Sequence, residues 1–484
     1  MLTTWLIFMP IVGALVVWIL PLRTSRAAGG VALALALAEL GLWIGAVAGF
    51  DYGKPGLQYE TSAVWFSDLG VSYKVGLYDF SLWLVGLTVG VSALAIAYAL
   101  WVGRERPRAY FGLMLLLLGA TTGVFVAQDL LLFYVFFEAM LIPLYVLIGL
   151  WGGERARSAT IKFVIYTMAG SLLMLVAIIA LGLTQGTFDL TQIGTSGSVA
   201  MFLGFAIAFG IKAPIWPFHG WLPDTYRQSS PEVAAVLSGV VSKTAAYGFL
   251  RIALPIFPGP TATMRDAILA LASIGLIYGS LLAFRQPDFR GVVAYSSLAQ
   301  MCLIMIGLFA VTDSGLSGAL LQMVNHGLVS ASLFLLAGCV ERRTSTGQFA
   351  LLGGMARGRP ILATMLITTG VIALAVPGSS AFAGEFLVLN GVFSRGWGWS
   401  VVGAVAIVLA AMYMLRAISA ALHEEKGSAV HDRQRDLRPA ELGVLLPLVV
   451  TLLFLSFWPA GVTAHSFSNA PTASVTEHFE APSP

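Results

Sequence analysis

Four ionisable side chains lie inside stretches of sequence that are otherwise apolar enough to be buried in lipid. Two are acids and two are lysines, in four separate stretches: Glu138, Lys212, Lys243 and Glu385. A charged group at mid-bilayer costs at least ~2.5–3.5 kcal/mol on insertion scales, so it rarely persists without a partner, a water cavity or a function. Acids and amines can exchange protons. Their distribution therefore indicates a proton or ion path through a membrane.

Simpler interpretations remain open for these residues. Glu138 could be a neutral acid hydrogen-bonded between helices, and Lys212 could be a cation that caps a helix end. Lys243 lies far from either end of its predicted helix. A buried amine can hold or release a proton according to its distance from a carboxylate, so movement between Glu and Lys would switch its state. Two residue types thus suffice for a transfer mechanism.

Two histidines are candidate relays because imidazole titrates near neutral pH. His326 lies within an apolar span, and His219 follows a proline-rich break and could lie nearer the surface. A core histidine bonded to a neighbouring hydroxyl is the alternative for His326. Glu39 is also mid-span, but outside the region that holds the other charges, and we expect a structural or interfacial role for it.

The composition requires a membrane environment for the elements that position these residues. Of 484 residues, 58% are hydrophobic and 11% are charged, whereas a soluble domain has about 25% charged residues. We predict an all-α polytopic membrane protein with fourteen transmembrane helices, the first of them a mature helix and not a signal peptide. The net charge of +3 adds little, and we expect no nucleic-acid partner.

Basic residues set the predicted orientation. Odd-numbered loops between the predicted spans hold eighteen Lys and Arg, and even-numbered loops hold five. By the positive-inside rule the odd loops are cytoplasmic, which places both termini outside.

Two predicted spans contain helix breakers beside a charge. Pro214 and Pro217 interrupt the span 200–222, and Pro377 and Gly378 interrupt the span 361–392. Broken helices at matching positions in two halves of a chain are typical of inverted-repeat transporters, although Pro and Gly are also common in membrane helices. The predicted units are an N-terminal three-helix segment (1–109), a first five-helix repeat (110–254), a second five-helix repeat (264–422), a last helix (423–462) and a polar tail (463–484).

The chain shows no pattern for a redox centre, a nucleotide or a metal. Cys302 and Cys339 lack the spacing of a zinc or iron–sulfur site, and no disulfide is indicated.

Six sequence blocks around the buried charges form a recognisable set. The blocks are FEAMLIPLYVLIGLWGG (137–153), KAPIWPFHGWLPDTY (212–226), SGVVSKTAAYGFLR (238–251), QPDFRGVVAYSSLAQM (286–301), NHGLVSASLFLLAG (325–338) and PGSSAFAGEFLVLNGVF (377–393). Together they resemble the antiporter-like membrane subunits of respiratory complex I. The resemblance runs from about residue 77 to residue 460.

The resemblance implies roles for the buried charges. The first repeat corresponds to an inner half-channel, in which Glu138 and Lys212 are the interacting pair, and Lys243 corresponds to the central transfer residue. The second repeat corresponds to an outer half-channel, in which Glu385 is the terminal residue. A glutamate at 385, where L-type, N-type and Mrp subunits carry lysine, is similar to the M-type (mitochondrial subunit 4-type) branch. Gln300 stands where the family usually has a relay histidine, and glutamine cannot titrate.

The resemblance also implies the function and its setting. We expect a proton-translocating subunit of NADH:quinone oxidoreductase, multi-pass in a bacterial cell membrane, with no cofactor of its own. Quinone, FMN and iron–sulfur clusters are expected on other subunits, and L- and N-type chains, the lateral helix of the L-type chain and lipids as partners. The alternatives are an Mrp-type cation/proton antiporter subunit, a membrane subunit of a hydrogenase or inorganic-carbon uptake complex, and a structural scaffold.

Overall fold

The computed structural model describes residues 1–467 and is mostly helical. The predicted polar tail, 463–484, therefore lies largely outside the described residues. In chain order the helices are α1 (Leu2–Ile19), α2 (Ser25–Ala48), α3 (Asp79–Val102), α4 (Pro107–Val126), α5 (Leu130–Trp151), α6 (Ala156–Gln185), α7 (Val199–Lys212), α8 (Leu222–Gln228), α9 (Pro231–Ile256), α10 (Pro258–Arg285), α11 (Phe289–Ala310), α12 (Asp313–Thr344), α13 (Pro360–Ala373), α14 (Ser380–Phe393), α15 (Trp397–Leu422), α16 (Pro439–Phe457) and α17 (Ala460–Thr463).

Twelve of these helices are long and apolar enough to cross a membrane, and three more, α7, α13 and α14, are apolar but shorter. The chain is thus a multi-span membrane protein, as its composition predicts. The shorter helices fall in the two spans that the sequence predicts to be broken.

A β-hairpin departs from the all-helical prediction. Strands β1 (Gln58–Phe66) and β2 (Val71–Leu77) pair antiparallel between α2 and α3. β-branched and aromatic residues favour this pairing, and Gly70 adopts the left-handed conformation (φ 67°) that the connection needs. The strands lie between two predicted spans, in a segment that was interpreted only as a loop, which is why the prediction missed them.

The two ends of the helical bundle differ in character. At one end, here called the hairpin face, the Met1 amine donates to Thr61 Oγ1 of β1 at 2.7 Å. The His465 ring lies 5.1 Å from the Tyr52 ring, so the described C-terminal end reaches the same face. The opposite end, the arginine face, carries ion pairs of 2.5–2.7 Å. These are Arg104–Glu232, Arg227–Asp288, Arg290–Glu341 and Arg343–Glu441.

Both broken segments satisfy the backbone groups that they free. After α7 ends, the Trp221 indole donates to the Ile211 carbonyl at 2.9 Å. At the start of α14, the Ser380 amide donates to Ser456 Oγ at 2.9 Å. Irregular backbone at membrane depth persists only where protein or water supplies such partners. Each break is therefore stabilised by a specific side-chain hydrogen bond.

The most deeply buried helices are α9, α11 and α12. The most apolar stretches of α9 and α12 are buried throughout, and that of α11 nearly so. Helix α12 packs closely on α14, and glycine makes this approach possible. A Cβ atom added at Gly318 or Gly391 would lie within 2.6 Å of the backbone of the other helix. These central helices carry the candidate functional residues.

Candidate functional site

Lys243 and His326 form a buried pair at the centre of the molecule. Lys243 Nζ lies 2.8 Å from His326 Nδ1 and donates to the Ser238 carbonyl at 2.6 Å. Both side chains are buried, with 0% and 4% exposure. Helix α9 widens to a π-helical turn over Leu237–Val241, just before Lys243. Such turns free carbonyls for side chains and are frequent at functional sites.

The position of the imidazole proton follows from which member of this pair donates. When the Lys243 ammonium donates to Nδ1, the proton of the neutral imidazole is on Nε2. His326 Nε2 is buried and has no hydrogen-bond partner among residues 1–467. A proton accepted on one side of the ring could thus leave from the other.

Glu385 ends a directional chain of side-chain hydrogen bonds. Gln322 Nε2 donates to Gln300 Oε1 at 2.7 Å, and Gln300 Nε2 donates to Glu385 Oε1 at 2.9 Å. Glu385 is 1% exposed. A cavity of about 10 Å³ adjoins Glu385 and Gln300, close to the smallest space that holds one water molecule. Gln300 thus contacts the Glu385 carboxylate directly.

Polar atoms also lie between the lysine–histidine pair and Glu385. Gln322, Asn325 and His326 occupy one face of α12, since residues three and four apart are neighbours on a helix. Asn325 Nδ2 donates to the Ser380 carbonyl of α14 at 2.7 Å. Gln322 Oε1, Asn325 Oδ1 and Ser380 Oγ are buried without a partner in the described part of the chain. Ordered water commonly satisfies such atoms.

Lys212 lies at the end of α7, next to the break, and is 3% exposed. Its Nζ donates to the Phe137 carbonyl at 2.9 Å and lies 3.6 Å from the centroid of the Phe137 ring. Glu138 is the next residue on α5 and is half-buried. Within the described residues no ion pair of 4 Å or less joins the two charges. The lysine is instead held by the backbone one residue away from the acid.

The structure does not join all predicted residues into one hydrogen-bonded line. No direct hydrogen bond between Lys212 and Lys243 is present in residues 1–467. His219 stacks edge-on against Tyr278 with ring centroids 5.1 Å apart, and its Nδ1 is buried without a partner. It contacts no other candidate residue through a hydrogen bond. Transfer between these groups requires water or movement.

Comparison with known proteins identifies the family. Residues 127–411 match the family described as NADH:quinone oxidoreductase/Mrp antiporter, TM. This match covers more than half of the chain. The chain belongs to this family.

Individual relatives of the family agree with this assignment. The chain is 36% identical over 439 residues to NADH-quinone oxidoreductase subunit M of Rhodobacter capsulatus, covering 86% of this chain and 84% of the relative. A chain of respiratory complex I from Thermus thermophilus superposes with a TM-score of 0.90 at 30% identity, covering 99% of this chain and 100% of that one. The predicted resemblance to M-type subunits is confirmed.

A chain of lower sequence identity shares the fold. A chain of the Mrp complex from Dietzia sp. superposes with a TM-score of 0.87 at 22% identity, covering 99% of this chain and 98% of that one. At this identity the similarity shows the fold alone. The NADH:quinone oxidoreductase/Mrp antiporter fold thus fits the whole described chain.

Two residues of the site were not predicted from the sequence. Gln322 and Asn325 precede His326 by four and one positions, and the helical spacing of polar residues in an apolar span was the available signal. Their partners on α11 and α14 are distant in sequence. Within residues 1–467 no group of three or more His, Cys, Asp or Glu could hold a metal ion. Cys302 and Cys339 are free and buried.

Proposed function

We propose that this chain is the M-type proton-translocating subunit in the membrane arm of a NADH:quinone oxidoreductase. The observation that carries the proposal is the buried contact between Lys243 and His326, 2.8 Å apart on two central helices. A protonatable pair so far from water has little structural use, since apolar residues would pack there without the cost of desolvating a charge. Redox chemistry belongs to other subunits, which hold the quinone site, FMN and iron–sulfur clusters.

Each site residue has a step in the proposed route. Glu138 controls whether Lys212 holds a proton, and quinone reduction elsewhere in the complex changes their coupling. Lys243 receives the proton and passes it to His326. Glu385 then releases it to the outside. Moving one charge against 100 mV costs ~2.3 kcal/mol, and a change in the separation of Glu138 and Lys212 supplies this free energy.

Gln300 takes part by hydrogen bonding rather than by titration. Its amide holds Glu385 Oε1 at 2.9 Å and is itself held by Gln322. An amide cannot accept and lose a proton at neutral pH, so water carries the proton past it. Gln300 therefore positions the terminal carboxylate. His219, which faces Tyr278, is assigned to the inner entry side.

The proposed topology has fourteen crossings with both termini outside the cell. The α7–α8 segment crosses once: Ser196, just before α7, bonds to the Ile256 carbonyl at the hairpin-face end of α9, whereas Arg227 in α8 pairs at the arginine face. The α13–α14 segment crosses in the opposite direction, because the loop after α14 bonds through Arg395 to the Ala310 carbonyl at the far end of α11. Twelve spans and two broken ones support the count.

The proposed units follow from this topology. Residues 110–254 and 264–422 each hold five crossings with the fourth one broken, and they run in opposite directions through the membrane. We assign the inner half-channel to the first and the outer half-channel to the second. Residues 1–109 and 423–462 pack outside these repeats.

The proposed setting is a bacterial cell membrane, with L- and N-type antiporter-like chains as neighbours and the lateral helix of the L-type chain along one side. An Mrp-type antiporter shares the fold, but it exchanges cations without an electron donor. The glutamate at 385 favours the M-type assignment. A hydrogenase or an inorganic-carbon uptake complex would use another electron donor, or no electron donor.

Inverted membrane vesicles test the proposal. Vesicles with the wild-type chain should acidify when NADH is added, and a sodium gradient alone should not replace NADH. Lys243→Met should abolish the coupled acidification while the complex still assembles. Lys426→Met, which changes an exposed loop lysine, is the matched control. Normal acidification by Lys243→Met would refute the route, and activity driven by sodium alone would favour the antiporter alternative.

A further inference from the structure

A basic cavity opens on the arginine face where three helices end. This arginine pocket has a volume of about 330 Å³ and lies between Trp101 of α3, the last turn of α12, the start of α16 and the loop before α16. Its lining consists of Trp101, Arg342, Arg343, Arg433, Gln434, Arg435, Arg438 and Glu441. None of the proposed proton-transfer residues lines this pocket.

The pocket carries a large uncompensated positive charge. Its lining has five arginines and one acid, which leaves four positive charges. Glu441 is occupied by Arg343 through two hydrogen bonds of 2.7 Å. The guanidinium groups of the remaining four arginines form no ion pair of 4 Å or less with a carboxylate of the described residues. Arginines without acidic partners that converge on one cavity are suited to bind an anion.

Neighbouring acids do not neutralise the pocket, because they are engaged elsewhere. Asp432 pairs with Lys426 at 2.6 Å. Asp436 accepts hydrogen bonds from the amides of Ile361 and Leu362, at the start of α13. The carboxylates of the same loop are thus directed away from the exposed arginines.

Two arginines of the pocket, Arg343 and Arg342, are held in place by backbone carbonyls and by the Trp101 ring. Arg343 also donates to the carbonyls of Cys339, Arg435 and Asp436, so it is rigid. The Arg342 guanidinium lies 4.6 Å from the centroid of the Trp101 ring. Stacked, planar guanidinium groups bind phosphate oxygens in pairs and lose little freedom on binding. The chemistry therefore favours a phosphate group.

An apolar crevice begins below this pocket. It has a volume of about 550 Å³ and lies between α2, α3, α12 and α16, with Leu40, Leu94, Leu328 and Gly443 among its lining residues. Gly443 follows Arg438 by five residues, which is about 7.5 Å along the helix. The crevice thus continues towards the hairpin face from the level of the pocket, in the direction that an acyl chain follows from its headgroup.

We propose that the arginine pocket and the apolar crevice together bind one anionic phospholipid, with its phosphate among the arginines and an acyl chain in the crevice. Basic pockets between the cytoplasmic ends of membrane helices suit such headgroups, and Trp101 lies at a helix end, where interfacial tryptophans are common. The site would fix α16 and the loop before it against α3 and α12. It does not depend on the proton route.

Photo-crosslinking tests this site in the intact, detergent-solubilised membrane assembly that contains the chain. The probes are phosphatidylglycerol and phosphatidylcholine with the same diazirine-bearing acyl chain, and labelled peptides are mapped by mass spectrometry. We expect phosphatidylglycerol to label α3 and α16 far more than phosphatidylcholine does. Each arginine removed in Arg433→Gln and Arg435→Gln should weaken labelling about fivefold, which corresponds to about 1 kcal/mol.

Control variants separate the two halves of the site. Arg357→Gln removes an exposed basic residue of the arginine face outside the pocket and should change nothing. Gly443→Leu fills the crevice, where nothing lies within 4 Å of an added Cβ, and should reduce labelling while the arginines remain. Equal labelling by both lipids, or labelling unchanged in the arginine variants, would overturn the proposal.

Two further measurements test whether a free anion or a neighbouring chain occupies the arginine pocket instead of a lipid. Inorganic phosphate that protects the arginines from phenylglyoxal as well as phosphatidylglycerol does would show a free-anion site and overturn the lipid assignment. If the arginines in the native assembly instead cross-link to carboxylates of a neighbouring chain, the pocket is a protein interface and the proposal is likewise overturned.

Discussion

At the scale of single residues, the site combines titratable groups with amides that hold them. Lys243 and His326 touch directly, whereas Glu385 is bound by Gln300. The Gln300 amide donates to the Glu385 carboxylate, and a Lys243 ammonium that donates to Nδ1 places the imidazole proton on Nε2. Side chains that cannot titrate are therefore as necessary to the proposed route as those that can.

The role of Gln300 can be tested by substitution. Gln300→Leu should reduce NADH-driven acidification by about tenfold or more, because a hydrogen bond to a charged group is worth ~1.5–3 kcal/mol. Gln300→His keeps a donor and should retain most of the activity. Both are measured by dye quenching in inverted vesicles, with assembly checked by native gels. Equal activity of Gln300→Leu and wild type would show that the contact does not position Glu385.

At the scale of elements, the breaks and the buried central helices position the charges. Pro214 and Pro217 made the first break predictable, since proline cannot continue a helix. The Lys243–His326 contact was not predictable as a pair, because 83 residues separate its members and only packing of α9 on α12 joins them. The hairpin of β1 and β2 was missed for another reason: its pairing is local, but the segment between α2 and α3 was interpreted only as a loop between two spans.

The stability of the first broken segment should depend on the hydrogen bond from the Trp221 indole to the Ile211 carbonyl. Trp221→Phe removes the indole that binds the Ile211 carbonyl and leaves that group unsatisfied, at a cost of about 1–3 kcal/mol. We expect a lower melting temperature of the assembly and reduced acidification, since Lys212 follows Ile211 directly. Trp458→Phe, at a residue 55% exposed, is the control. Identical behaviour of the two variants would contradict a structural role for this bond.

At the scale of the whole molecule, the difference in charge between the hairpin face and the arginine face predicts how the protein is oriented in the membrane. The charge distribution predicts that the arginine face is cytoplasmic. Both native cysteines are buried, so introduced cysteines can be labelled with little background.

Labelling by a membrane-impermeant maleimide tests this orientation. Lys54→Cys lies exposed in the loop before β1, near the hairpin face, and should react in right-side-out vesicles. Lys426→Cys lies exposed beside the arginine face and should react only in inverted vesicles. The reverse pattern would place both termini inside the cell and reverse the direction of the route.

The central claim is that the buried acids carry protons, and the most direct measurement compares three glutamates in inverted vesicles. Glu138→Gln and Glu385→Gln remove acids on the proposed route, and Glu39→Gln removes a fully buried acid outside both proposed repeats. NADH-driven acidification is followed by dye quenching, together with quinone reductase activity and assembly. We predict that the first two variants assemble but lose acidification and coupled turnover, while Glu39→Gln keeps both. Near-normal acidification by Glu138→Gln and Glu385→Gln would show that these carboxylates are structural and that the proposed route is wrong.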